Sequence, residues 1–142
     1  MSKYSLLYYK EGPTANVAVF ENDKKERFLR VNGKTDGSTG TDSKTQILLG
    51  TIPLLYASDL NDIMVIGLGT GMTLSSVLDF PVGEIDCLEI SSAVVEAASY
   101  FQEDTDNVLK SRKTNLHILD GRTWLKSMNK NYNVITSEPS HP

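Results

Sequence analysis

The sequence predicts an α/β fold, a parallel sheet with helical crossovers preceded by a small antiparallel β unit, and three observations carry that prediction. From Asp62 onward the short apolar segments IMVIG, EIDCLEI, NLHIL and YNVIT alternate with the helical stretches TLSSVLDF, SSAVVEAASYF and TWLKSM; such alternation builds a parallel sheet. Before it, SLLYY, NVAVF and RFLRV are rich in aromatic and β-branched residues and read as strands joined by hairpins. Three glycines, Gly67, Gly69 and Gly71, stand where the first parallel strand turns into its helix.

Composition narrows the functions before any motif is considered. A chain of 142 residues with 39% hydrophobic residues is long enough to bury a core and has the size of one domain. No apolar run approaches the roughly eighteen residues of a membrane helix, and Lys10 and Glu11 interrupt any signal-peptide core. The net charge of −4 and the scatter of basic residues argue against a nucleic-acid partner. The single cysteine, Cys87, lies among apolar neighbours and predicts a buried thiol in a reducing compartment, so the expected location is cytoplasmic.

Residues 1–42 form the predicted N-terminal unit. ENDKKE separates its second and third strands, and Asn32-Gly33, a dipeptide that accepts positive φ, returns the chain into a further strand over Lys34 to Ser38. Residues 43–142 hold the linking helix and the sheet. Ser43-Lys44-Thr45-Gln46 fits a capping box, and Leu48, Ile52 and Leu55 recur at helical spacing, while Pro53 should end or kink the helix. Val94, Ala98 and Phe101 give a later helix one apolar face, expected to pack on the parallel sheet. The fourth parallel strand ends just before Pro142, so the sheet reads as truncated there, with an open edge that predicts a homo-oligomer.

The glycine segment lets the backbone pass close beneath a ligand. Its G-x-G-x-G spacing, with Met72 where a dinucleotide fingerprint wants Gly or Ala, disfavours NAD. Glu89 ends the next strand, where a carboxylate can accept from both hydroxyls of a ribose, and Asp120-Gly121 ends the third, facing an adenine edge. Each has a structural reading as well: a turn for the glycines, a solvated strand end for Glu89, a helix cap for Asp120. Three such residues at successive strand ends favour a nucleoside site. Glu138 follows the fourth strand and can take a proton from an incoming amine, or be a loop carboxylate between turn residues. His117 and His141 lack the partners of a zinc site, so no metal is expected.

The ordered series YYKEG, VNGKTDGST, TQILLGTIPLL, VIGLGTG, CLEIS, LDGR and SEPSHP resembles the spermidine synthase-like family over nearly the whole length, closest to the branch attached to a membrane-embedded portion. The resemblance implies a Rossmann-like sheet of the S-adenosylmethionine-dependent methyltransferase type, and aminopropyl transfer from decarboxylated S-adenosylmethionine to a putrescine-like amine. It implies that Gln46, Gly67, Gly69, Thr70, Gly71, Glu89, Asp120 and Gly121 contact the donor and that Glu138 is catalytic. A cytosolic domain of a membrane protein is implied in the same way. Thr70 stands where the family carries an Asp, which opens the alternative of intact S-adenosylmethionine and a different alkyl transfer. Glu138 and His141 stand where the family carries Asp, and Thr45 where it carries Tyr, so a nucleoside-sensing domain without chemistry is a further alternative.

Overall fold

A computed structural model describes residues 3–138. The N-terminal unit is an antiparallel meander of β1 (Ser5–Glu11), β2 (Asn16–Glu21), β3 (Arg27–Val31) and β4 (Lys34–Ser38). Asn32 and Gly33 take φ of 50° and 81°, the left-handed pair that a two-residue hairpin requires. Helix α1 (Ser43–Tyr56) leads into the second sheet, built by β5 (Asp62–Ile66), α2 (Met72–Leu78), β6 (Glu84–Glu89), α3 (Ser92–Ala98), β7 (Thr114–Ile118), α4 (Gly121–Ser127) and β8 (Val134–Ser137). Its strands are parallel in the order β7-β6-β5-β8, with Val65 opposite both Cys87 and Thr136.

One core lies between this sheet and α1 and α2, where Ile63, Val65, Ile85 and Cys87 meet Leu54, Leu74 and Val77. Cys87 is fully buried, and burial followed by the charges of Glu89 and Glu138 pushes its thiol up to about 12. A second core joins the N-terminal sheet to α3: Val17, Val19 and Leu29 pack on Ala93, Val94, Ala97 and Phe101. Polar ties reinforce that contact. The Tyr8 hydroxyl donates to Glu96 at 3.0 Å, Lys10 pairs with the same carboxylate, and Arg27 donates to the Tyr100 carbonyl at 2.6 Å.

Three expectations change. The face bearing Val94 and Phe101 packs on the N-terminal unit, and only Ala98 of the predicted stripe joins the core of the parallel sheet. The capping box does not form: Asp42 is the N-cap of α1 and the Ser43 hydroxyl donates to the Gly40 carbonyl, which frees Gln46 for another role. Pro53, expected to end or kink the helix, does not end α1, which runs on to Tyr56. Proline has no N–H for the carbonyl four residues back, that of Leu49. The Thr136 hydroxyl on β8 donates to this carbonyl instead, at 2.8 Å.

Candidate functional site

The carboxyl ends of β5, β6, β7 and β8 open into a crevice of about 480 Å³, within the range of small-molecule sites, roofed by residues of the β3-β4 hairpin. Gly67, Gly69, Glu89, Asp120, Gly121 and Glu138, six of the residues singled out in the sequence, line it. Gly67, Gly69 and Gly71 have φ of 92°, 53° and 89°, so the loop depends on glycine at each. Two of them also make room for Glu138. A Cβ at Gly67 would stand 2.9 Å from the Glu138 carbonyl oxygen, and one at Gly69 would stand 3.2 Å from both carboxylate oxygens.

Glu89 is nearly fully buried and fixed by two backbone donors. The Leu68 N–H donates to its Oε2 and the Ser91 N–H to its Oε1, each at 2.9 Å. A carboxylate oxygen has two lone pairs, so each oxygen keeps acceptor capacity toward the crevice that Glu89 lines. Asp120 is the N-cap of α4, its Oδ1 accepting from the Arg122 and Thr123 N–H groups at 2.9 and 3.1 Å. Capping uses one oxygen of a residue that also lines the crevice, so the cap leaves the second oxygen outside these two bonds.

Gln46, Thr70 and Gly71 are not among the lining residues. Gln46 and Thr70 lie buried behind the glycine loop, where the Thr70 hydroxyl donates to Gln46 Oε1 at 2.5 Å. Gln46 Nε2 is buried without a hydrogen-bond partner among the described residues. Gly37 creates its space: a Cβ there would lie 2.7 Å from this nitrogen and 2.9 Å from Thr70 Cγ2. Gly71 faces Val108 and Thr105 rather than the crevice.

Glu138 continues the ladder of β8, its N–H donating to the Ile66 carbonyl at 2.9 Å. Burial, then the carboxylates of Asp36 and Glu89, raise its carboxyl to about 8, against the Thr73 hydroxyl, 3.3 Å from Oε2, which lowers it. A carboxyl held there exchanges a proton readily near neutral pH. The sequence reading missed Asp36 and Lys34, which line the crevice from β4. Both lie in VNGKTDGST, where their only signal was the alternation of a short strand. Asp36, Glu89, Asp120 and Glu138 line the crevice together with Lys34, so its walls hold more acidic than basic side chains. His141 lies outside the described residues.

Residues 43–142 match the spermine/spermidine synthase domain family. A polyamine aminopropyltransferase from Leptospira biflexa is 28% identical over 134 residues, 93% of this chain and 47% of that protein. The spermidine synthase of Solanum lycopersicum is 28% identical over 139 residues, 96% of this chain and 41% of its own length. The chain therefore spans about half the length of the curated relatives it matches. A spermidine synthase solved in complex with the transition state analogue AdoDATO superposes with a TM-score of 0.89 at 20% identity, over 96% of this chain and 47% of that one. The spermidine synthase of Thermotoga maritima gives 0.88 over the same shares. These superpositions establish the fold, an antiparallel β unit followed by a Rossmann-like, methyltransferase-type sheet.

Proposed function

This chain belongs to the spermine/spermidine synthase family, and from that premise we propose that its crevice holds the adenosyl part of decarboxylated S-adenosylmethionine and serves aminopropyl transfer to a small amine in the whole protein. The observation that carries the reading is the convergence of Glu89, Asp120 and Glu138, from the ends of three strands, on one crevice floored by Gly67 and Gly69. In it, Glu89 accepts from the ribose hydroxyls, Asp120 from the adenine amino group, and Gly67, Gly69 and Gly121 let the ligand approach the backbone. Thr70 and Gly71 shape the loop from behind. Gln46, whose buried amide nitrogen has no acceptor among the described residues, stands beside Thr70 behind the loop as the resemblance expects of a donor-side residue.

Glu138 is the base. It takes the proton of the acceptor ammonium, the freed nitrogen lone pair forms the C–N bond to the methylene beside the sulfonium, and the C–S bond breaks, leaving methylthioadenosine neutral. A carboxyl near 8 suits an amine better than an ordinary carboxylate does. Intact S-adenosylmethionine fits less well than the sequence suggested. The Thr70 hydroxyl is committed to Gln46, and a donor carboxylate in this crevice would meet the charge of Glu89 and, wherever Glu138 is ionised, that of Glu138. The reading extends to a cytoplasmic location, alone or beside a membrane-embedded portion, and to self-association; no helix among the described residues is long and apolar enough to cross a membrane.

Calorimetric titration with methylthioadenosine, decarboxylated S-adenosylmethionine and S-adenosylmethionine tests the reading. The decarboxylated donor should bind more tightly than the intact one, and Glu89→Ala should weaken both by about tenfold or more, the loss expected for hydrogen bonds to a charged group. Binding of none of the three would sink it. Donor binding that survives Glu138→Gln without any transfer activity in wild type would leave a sensing domain in its place.

A further inference from the structure

Helix α4 carries two of the crevice residues, Asp120 at its N-cap and Gly121 in its first turn, yet little of it is packed. Gly121 and Trp124 are half-buried, and its other five residues are exposed. Its N-terminus rests on β5, where a Cβ at Gly121 would stand 3.0 Å from Ile66 Cγ2. Trp124 supplies the second hold. Its ring lies on the His117 imidazole of β7, with centroids 4.0 Å apart, and its Nε1 donates to the Tyr132 hydroxyl at 2.7 Å. One carboxylate holds both partners: Asp86 on β6 stands 2.8 Å from His117 Nε2 and accepts from the Tyr132 hydroxyl at 2.8 Å and from Lys130 at 2.9 Å. We propose that Asp86 is a positioning residue for nucleobase recognition: through His117 and Tyr132 it clamps Trp124, and thereby holds the first turn of α4 where the Asp120 carboxylate meets the adenine amino group.

The proposal rests on the nucleoside reading above and supplies what fixes its adenine contact. The path is short and continuous. The Trp124 N–H donates to the Asp120 carbonyl at 3.0 Å, closing the first turn of α4, and Asp120 Oδ1 accepts from Arg122 and Thr123 inside that same turn. A rotation of the helix that released Trp124 would therefore carry the Asp120 carboxylate with it. Recognition groups keep their geometry only when the side chains behind them are themselves locked, and the Asp86 cluster has the form of such a support. Its carboxylate is buried; burial raises it, but Lys130, His117 and Tyr132 outweigh that and hold it below the usual range. In the relay from indole N–H to phenol O–H to carboxylate, each donor polarises the next. Lys130 also pairs with Asp62 at 3.3 Å, at the amino end of β5 and away from the crevice, which anchors the cluster to the body of the sheet.

Methylthioadenosine and its analogue lacking the 6-amino group, titrated into wild type, Asp120→Ala and Asp86→Leu, test this role. Wild type should prefer methylthioadenosine by about tenfold or more, the worth of a hydrogen bond to a charged group, and Asp120→Ala should erase the preference. Asp86→Leu occupies similar space without accepting a hydrogen bond. It should lose most of the preference while affinity for the analogue stays as in wild type, whereas a merely structural residue would lower both affinities together or neither. Asp86→Asn, whose amide oxygen still accepts from Tyr132, should keep part of the preference. Trp124 is the single tryptophan of the chain, so its emission should move to longer wavelength in Asp86→Leu as the released indole meets water. An unmoved emission, a moved emission with the preference intact, or a folded Asp86→Leu that loses both ligands alike refutes the role of Asp86. A preference that survives Asp120→Ala, or that wild type lacks, refutes it too while the nucleoside reading stands; wild type that binds neither ligand removes that reading itself. Should Asp86→Leu not fold, Tyr132→Phe, which removes only the hydroxyl between Trp124 and Asp86, takes its place in the same comparison.

Discussion

Glu138 shows how one side chain takes its chemistry from neighbours that the sequence holds far apart. Its carboxyl is raised to about 8 by burial, by Asp36 from β4 and by Glu89 from β6, so at neutral pH it is largely protonated. A raised pKa has a definite sign in stability. Between the usual carboxyl range and about 8 the folded chain binds one proton more than the unfolded chain, so this group's contribution to stability declines as pH rises through that window. Amine binding should move the other way, strengthening as Glu138 ionises and levelling off above about 8. Putrescine affinity measured across that range should rise for wild type and stay flat and weak for Glu138→Gln; Asp36→Asn should shift the rise to lower pH. A wild-type profile without slope would contradict the assignment. Glu89, Asp120 and Glu138 were legible in the sequence because short apolar strands end where loops begin, and those ends fall on one edge of a parallel sheet. Asp36 was not, because only a β-bulge in the pairing of β3 with β4 and the folding of β4 over the crevice give that aspartate its place.

At the scale of elements the order of strands and helices was legible, and the side on which each is buried was less so. Leu48, Ile52 and Leu55 announce α1, yet that face is exposed, and the buried residues are Gln46, Gly50 and Leu54, one turn apart. Gly50 allows the close crossing with α2, since a Cβ there would lie 2.5 Å from the Thr73 carbonyl oxygen. Likewise, Asp86 interrupts an apolar strand without explanation until folding brings Lys130, His117 and Tyr132 to its carboxylate, at 2.8 to 2.9 Å. Pro53 gives a sharper test of element packing. The Leu49 carbonyl it leaves without a helical donor is served by the Thr136 hydroxyl, which ties α1 to β8 two residues before Glu138. Thr136→Val should cost about 1–2 kcal/mol, the penalty for a buried carbonyl left without its donor. Adding Pro53→Ala restores an N–H four residues on and should recover much of that loss. Urea unfolding of the two single variants and the double variant measures the coupling; purely additive effects would show that the hydroxyl is not the missing donor.

For the whole molecule, the two sheets meet through α3, and the crevice lies where the antiparallel unit overhangs the strand ends of the parallel sheet. Neither sheet alone contains the site: the N-terminal unit supplies Val31, Lys34 and Asp36, and the strand ends of the second sheet supply Glu89, Asp120 and Glu138. That union was only partly legible, because the apolar face of α3 pointed in sequence to the parallel sheet alone. The same architecture leaves β8 at one edge, paired only with β5 among the described strands, with Val134 and Thr136 buried and Ile135 48% exposed. An edge strand presents unpaired backbone N–H and C=O groups, and an apolar side chain beside them favours pairing with a second copy. A twofold axis perpendicular to β8 would join the two parallel sheets by one antiparallel pair, an isologous contact that closes on itself. Sedimentation of this chain at tens of micromolar should therefore show a concentration-dependent dimer. Ile135→Lys puts a charge on that edge without entering the core and should shift the equilibrium to monomer, while methylthioadenosine affinity stays unchanged because Ile135 does not line the crevice. A wild-type chain that sediments only as monomer would show that the β8 edge does not pair between copies, and dimers that persist in Ile135→Lys would move the interface to another face.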